Sequence, residues 1–198
     1  MFLFGSSYPI GKIGLNENLT PLIFSLLRIF PMLFLLSPFV KITSIYNENF
    51  KFVMLYGLLI GLGLYPLMYL SLEYTKSTSS IILIMQLSIP IGIILGSIYL
   101  KENVSMIRWT LIGVVLIGLT LISFDPVVLK SKLSLFFGVL TAISYGSASM
   151  LSKKINSFSS LEVNGWMAII SFPLVFLLVC LFEGQELSII LNHSWKTY

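Results

Sequence analysis

The chain has 198 residues, 57% of them hydrophobic and 10% charged, with a mean hydropathy of +0.97 and a formal net charge of +4. That is too little polar surface to cover a soluble globule of this size, so the chain belongs in a bilayer. Its lysines are scattered in ones and twos between apolar runs and read as topology signals and headgroup contacts rather than a nucleic-acid patch. The one cysteine, Cys180, rules out a disulfide framework.

A hydrocarbon core of about 30 Å takes about 20 apolar residues per helix, because backbone groups in lipid must be satisfied within the segment. Seven stretches approach that length. The first, Met1 to Leu15, has no positive n-region and no small-residue cleavage signal, so it reads as a shortened membrane helix and not a removable leader. It carries Ser7 and Lys12.

The second stretch, Leu19 to Val40, holds Arg28 well inside it. An isolated cation near mid-bilayer costs ~2.5 to 3.5 kcal/mol, so Arg28 requires a partner. It is either an anchor for a substrate carboxylate or a packing hub bonded to carbonyls or to a polar neighbouring helix. The third, Phe52 to Leu72, sets Tyr65 and Tyr69 four apart on one face with Pro66 between them. They line a cavity or give a stiff aromatic face to another helix.

The fourth, Thr78 to Leu100, has Gln86 near its centre and Pro90 four residues on. Proline has no N–H to give the Gln86 carbonyl, so a carboxamide beside a freed carbonyl is expected there, suited to a zwitterion. The alternative is that Gln86 bonds another helix. The fifth, sixth and seventh run from Met106 to Phe124, Leu133 to Leu151 and Val163 to Phe182. Trp166 and Asn164 open the last of these, where interfacial anchoring is the expected role of the indole.

Lys12 and Glu73 lie near segment ends and are expected to snorkel to water. Glu73 is the acid best placed to exchange a proton with a transport pathway. Gly57 and Gly61, Gly92 and Gly96, and Gly138, Ala142 and Gly146 are small residues four apart, which let helices approach closely and make a homodimer a secondary expectation. The loops after the second, fourth and sixth segments hold Lys41, Lys51, Lys101, Arg108, Lys153 and Lys154, against Lys12, Lys76, Lys130, Lys132 and Lys196 on the other side. That difference slightly favours a cytoplasmic N-terminus.

FPMLFLL at 30–36 returns as FPLVFLL at 172–178, and FGSSYPIGK at 4–12 lies over YGSASMLSK at 145–153. Two echoes at nearly one spacing, in adjacent segment pairs, indicate an internal duplication. If segments one and two correspond to six and seven, one repeat has five helices, and an odd number turns the second copy upside down in the membrane. Inverted repeats are a common plan of secondary transporters. The expected domains are a first repeat at 1–127 and the start of a second at 128–198. The chain is expected to be truncated from ten helices to seven.

The run GLLIGLGLYPLMYLSLEYTKSTSSIILIMQLSIPIGIILGSIYLKENVSMIRWTLIGVVLIGLTLI, 57–122, resembles helices three to five of the EamA family in the drug/metabolite transporter superfamily. FGSSYPIGK, the Arg28 of SLLR and the GSASMLSKK block fit the same pattern. The resemblance implies an all-α integral membrane bundle of two inverted five-helix repeats in the inner (plasma) membrane. It further implies export of amino acids, metabolites or drugs, driven by an ion gradient or exchange. IILIMQLSIP with Glu102 is similar to members that export cysteine-pathway amino acids, in which a Gln stands at the position of Gln86. The resemblance also implies a structural role for Glu102 at the turn between the fourth and fifth helices.

The candidate substrate-binding residues are therefore Gln86, Tyr65, Tyr69, Arg28 and Ser7. No catalytic residue, cofactor or metal is expected, and no nucleic-acid partner. Intramembrane metalloproteases need paired histidines, and the chain has only His193; aspartyl types need buried acids, and the only aspartate is Asp125 in a turn. No GxSxG elbow occurs. The remaining rival is a structural or regulatory membrane protein, or a remnant, whose helices only pack.

Overall fold

The structure, a computed structural model, describes residues 11–12, 14–15, 19–75, 77–123 and 131–184. These form helices and no strand among the described residues. We number the helices α1 (residues 11–12 and 14–15), α2 (Pro21–Leu36), α3 (Phe50–Glu73), α4 (Thr78–Tyr99), α5 (Met106–Ser123), α6 (Lys132–Ser152) and α7 (Ser160–Phe182). Among the described residues, α2 extended to Phe39, α3, α4, α6 and α7 are each long and apolar enough to span a membrane. Ser7, Asp125 and His193 lie outside the described residues.

Two helices break where proline demands it. In α3, Pro66 cannot donate to the Leu62 carbonyl, and its ring would collide with it. The preceding turn, Leu59–Leu64, widens to a π-helix, in which the Tyr65 N–H bonds the Ile60 carbonyl. In α4, Pro90 divides the helix into Thr78–Met85 and Ser88–Tyr99. The expectation of a freed Gln86 carbonyl is corrected: the Ile89 N–H takes it at 3.0 Å, and Gln86 and Leu87 bond back to Leu83 and Ile84. The chain tightens by one residue per bond at that point.

The helix ends are tied to one another. Ser159 caps α7 by accepting from the Glu162 N–H at 3.2 Å, while the buried Glu162 carboxylate accepts from the Ser44 hydroxyl and draws the 42–46 turn over the helix. At α2 the cap comes from another helix. The Glu183 carboxylate accepts from Thr20 Oγ1 and from the N–H groups of Leu22 at 3.3 Å and Ile23 at 3.0 Å, at a helix start that favours negative charge.

α2 packs most extensively on α7, and α4 on α6, with α3 wedged between the two pairs. Phe30 and Phe172, equivalent positions of the echoed sequence, meet with ring centroids 6.1 Å apart. The small residues let backbones touch within the chain. A Cβ on Gly61 would lie 1.7 Å from Ser171 Oγ, and one on Gly146 would lie 2.8 Å from the Ser88 carbonyl. Hydroxyls fasten these seams: Ser71 and Ser134 each donate to the other's carbonyl, at 2.8 and 2.7 Å, and Ser171 donates to that of Gly57 at 2.9 Å. Trp166, near the start of α7, is buried against the Phe50 ring, and its indole N–H has no partner among the described residues.

Candidate functional site

Arg28 is the eighth residue of α2, about 10 Å along the helix from its start at 1.5 Å per residue. Its side chain reaches the half of α3 that follows the π-turn. Nη1 donates to the Tyr69 hydroxyl at 3.0 Å, and the guanidinium carbon lies 4.7 Å from the centroid of the Tyr65 ring. A charge-assisted hydrogen bond contributes ~1.5 to 3 kcal/mol, and a desolvated cation–π contact ~2 kcal/mol. Together they offset the insertion cost of the cation at this depth.

The tyrosines are themselves fixed. Tyr69 is 1% exposed and takes the edge of Phe24 at 4.8 Å, while α1 approaches so closely that a Cβ on Gly11 would stand 2.8 Å from its ring. Tyr65 is also buried, and its hydroxyl lies between the Arg28 guanidinium and the Met32 sulfur, 4.0 Å from the latter. Below them Lys12 does not simply snorkel. Its Nζ donates to the carbonyls of Leu72 at 2.7 Å and Thr75 at 3.1 Å and closes the end of α3, leaving Glu73 exposed.

Three of the predicted residues, Arg28, Tyr65 and Tyr69, are thus brought together. Gln86 is not bonded to them. The preceding residue, Met85, is buried in the cluster around Met68 and Tyr69, whereas Gln86 itself faces outward at the break in α4. Glu102, on the opposite end of α4 from Glu73, pairs with Lys153 at the membrane surface. Phe24, Met32 and the interhelical cap by Glu183 were not anticipated. Phe24 lies four residues before Arg28 and Met32 four after it, the signal that would have put them on its face of α2.

Residues 1–124 match the family described as "EamA-like transporter family". The chain is also similar to a protein of Bacillus subtilis (strain 168) described as "Uncharacterized transporter YoaV", at 25% identity over 191 residues, covering 92% of this chain and 64% of that protein. The chain thus spans less than two thirds of the length of that relative. No solved structure matches it.

Proposed function

From the premise that the chain belongs to the EamA-like transporter family, we propose that it acts in a multi-pass inner-membrane secondary transporter that exports small metabolites such as amino acids by alternating access. The single observation that carries this reading is the guanidinium of Arg28, held mid-span by two tyrosines of another helix. Its planar fork suits a carboxylate. Tyr69 accepts from Arg28 and keeps its own O–H proton to donate to the same carboxylate. This reading also assigns Gln86 and Ser7 to the substrate, Gln86 to an ammonium group reached when the break in α4 turns its outward-facing carboxamide toward Arg28.

Alternating access is supported by the two breaks next to these residues, the π-turn before Tyr65 and the divided α4, where backbone can bend without unfolding a span. The contact between Phe30 and Phe172 supports a two-fold relation between inverted halves, since equivalent positions meet near such an axis. On this reading residues 1–127 are one repeat and 128–198 begin the next.

The test is expression of the full-length protein in a bacterial host challenged with toxic amino-acid analogues. Resistance should rise, and Arg28→Ala and Gln86→Ala should remove it while membrane insertion stays normal. An unchanged response across a broad panel of analogues would favour the structural or regulatory reading, which the self-sufficient bonding of Arg28 also fits.

A further inference from the structure

Among the described residues, α5 joins the bundle mainly at one end. It runs antiparallel to α4 and packs against Thr78–Met85, then splays away from Ser88–Tyr99. The wedge between them is a cavity of about 230 Å³ lined by Ile89, Pro90, Ile93, Leu111, Ile112 and Val115, with one polar side chain, Arg108, among its walls. Ile89 and Leu111 are more than half exposed, so among the described residues the wedge is open on one side.

Arg108 is the third residue of α5, within about 5 Å of the helix start, and so lies at the depth of the headgroups. No acid among the described residues pairs with it. Glu102, in the preceding loop, is engaged by Lys153, and Lys101 adds a further positive charge there. The first turn of α5 has no acidic residue to complement its positive end. A groove that is apolar along its length and cationic at its mouth matches a molecule with an acyl chain and a phosphate.

We propose that the α4–α5 wedge is a binding site for one anionic phospholipid, with an acyl chain lying on Pro90, Ile93 and Ile112 and the phosphate gripped by the Arg108 fork. Arginine is suited to this because its parallel N–H groups meet two phosphate oxygens at once. The lipid fills a gap that no described side chain occupies and fastens α5 to the second half of α4.

The experiment is titration of the purified full-length protein in mild detergent with phosphatidylglycerol or phosphatidylcholine of the same chains, read by native mass spectrometry. Phosphatidylglycerol should bind about ten-fold tighter, and Arg108→Gln should bring it down to the level of phosphatidylcholine. Val115→Phe, at a half-exposed position that tolerates the larger ring, should weaken both lipids by filling the groove. Lys101→Gln, a loop charge outside the groove, should leave the preference intact. Inorganic phosphate should not compete, because the chain site is apolar. The proposal is overturned if the two lipids bind alike, if Lys101→Gln acts as strongly as Arg108→Gln, or if free phosphate displaces the lipid.

Discussion

Tyr69 holds the guanidinium by its oxygen and Tyr65 chiefly by its ring, and removing one oxygen from each ranks the two modes. Tyr69→Phe deletes the acceptor 3.0 Å from Arg28 Nη1 while keeping the ring that Phe24 packs against. A hydrogen bond to a charged group contributes ~1.5 to 3 kcal/mol in general, and interhelical bonds in membranes have fallen lower, at ~0.6 to 1.7 kcal/mol. Their overlap gives an expected loss of about 1.5 kcal/mol. Tyr65→Phe keeps the ring under the cation and gives up the hydroxyl's weaker contacts with the guanidinium and the Met32 sulfur, so it should cost less than Tyr69→Phe, about 1 kcal/mol or below. Tyr65→Leu removes the π-face and should cost ~1 to 2 kcal/mol. Unfolding by sodium dodecyl sulfate in mixed micelles, followed by tryptophan fluorescence, measures all three. In an Arg28→Met background the Tyr69→Phe loss should vanish. Equal losses for the two Phe variants, or a Tyr69→Phe loss unchanged without the arginine, would refute the geometry.

Gly61→Ala should prevent α3 from meeting α7. Ser171→Ala should not rescue it, because the new methyl would still meet Ser171 Cβ at 2.1 Å, whereas Ser171→Gly should restore part of the folded yield in detergent. Glu183→Ala strips three donors of their acceptor and should destabilise by ~1 to 2 kcal/mol, with amide exchange rising first at Leu22 and Ile23. Ser71→Ala and Ser134→Ala should each cost ~0.6 to 1.7 kcal/mol, and a double-mutant cycle should show that the two losses are not independent. Lys153→Ala breaks an ion pair whose side chains are 45% and 37% exposed, and should change stability by no more than ~0.5 kcal/mol.

The spans were legible because bilayer thickness and backbone satisfaction leave few alternatives for a chain this apolar. Segments two to seven fall within a few residues of the observed helices. Arg28, Tyr65 and Tyr69 were legible as candidates for a related reason: a mid-span cation and a pair of tyrosines on one face must each find a partner. That they find one another depends on the interhelical register, which periodicity within one helix cannot fix. Pro90 was legible as a break, but not its outcome, because the carbonyl it deprives is taken by the next available N–H through a three-residue bond. The cap of α2 by Glu183 was hidden in the same way, since it joins residues 160 apart in sequence and depends on where α7 ends. The burial of Trp166 was not legible either, since it depends on Phe50 of another helix packing against the indole.

The central claim is that Arg28, set between Tyr65 and Tyr69, receives a carboxylate that crosses the membrane. Efflux of labelled amino acids from preloaded vesicles containing the full-length protein tests it most directly, with Arg28→Lys as the comparison because lysine keeps the charge and loses the fork. The account predicts efflux above that of protein-free vesicles for at least one amino acid, slowed about ten-fold or more by Arg28→Lys. Efflux at background for every amino acid, or an Arg28→Lys protein as fast as the parent, would contradict it.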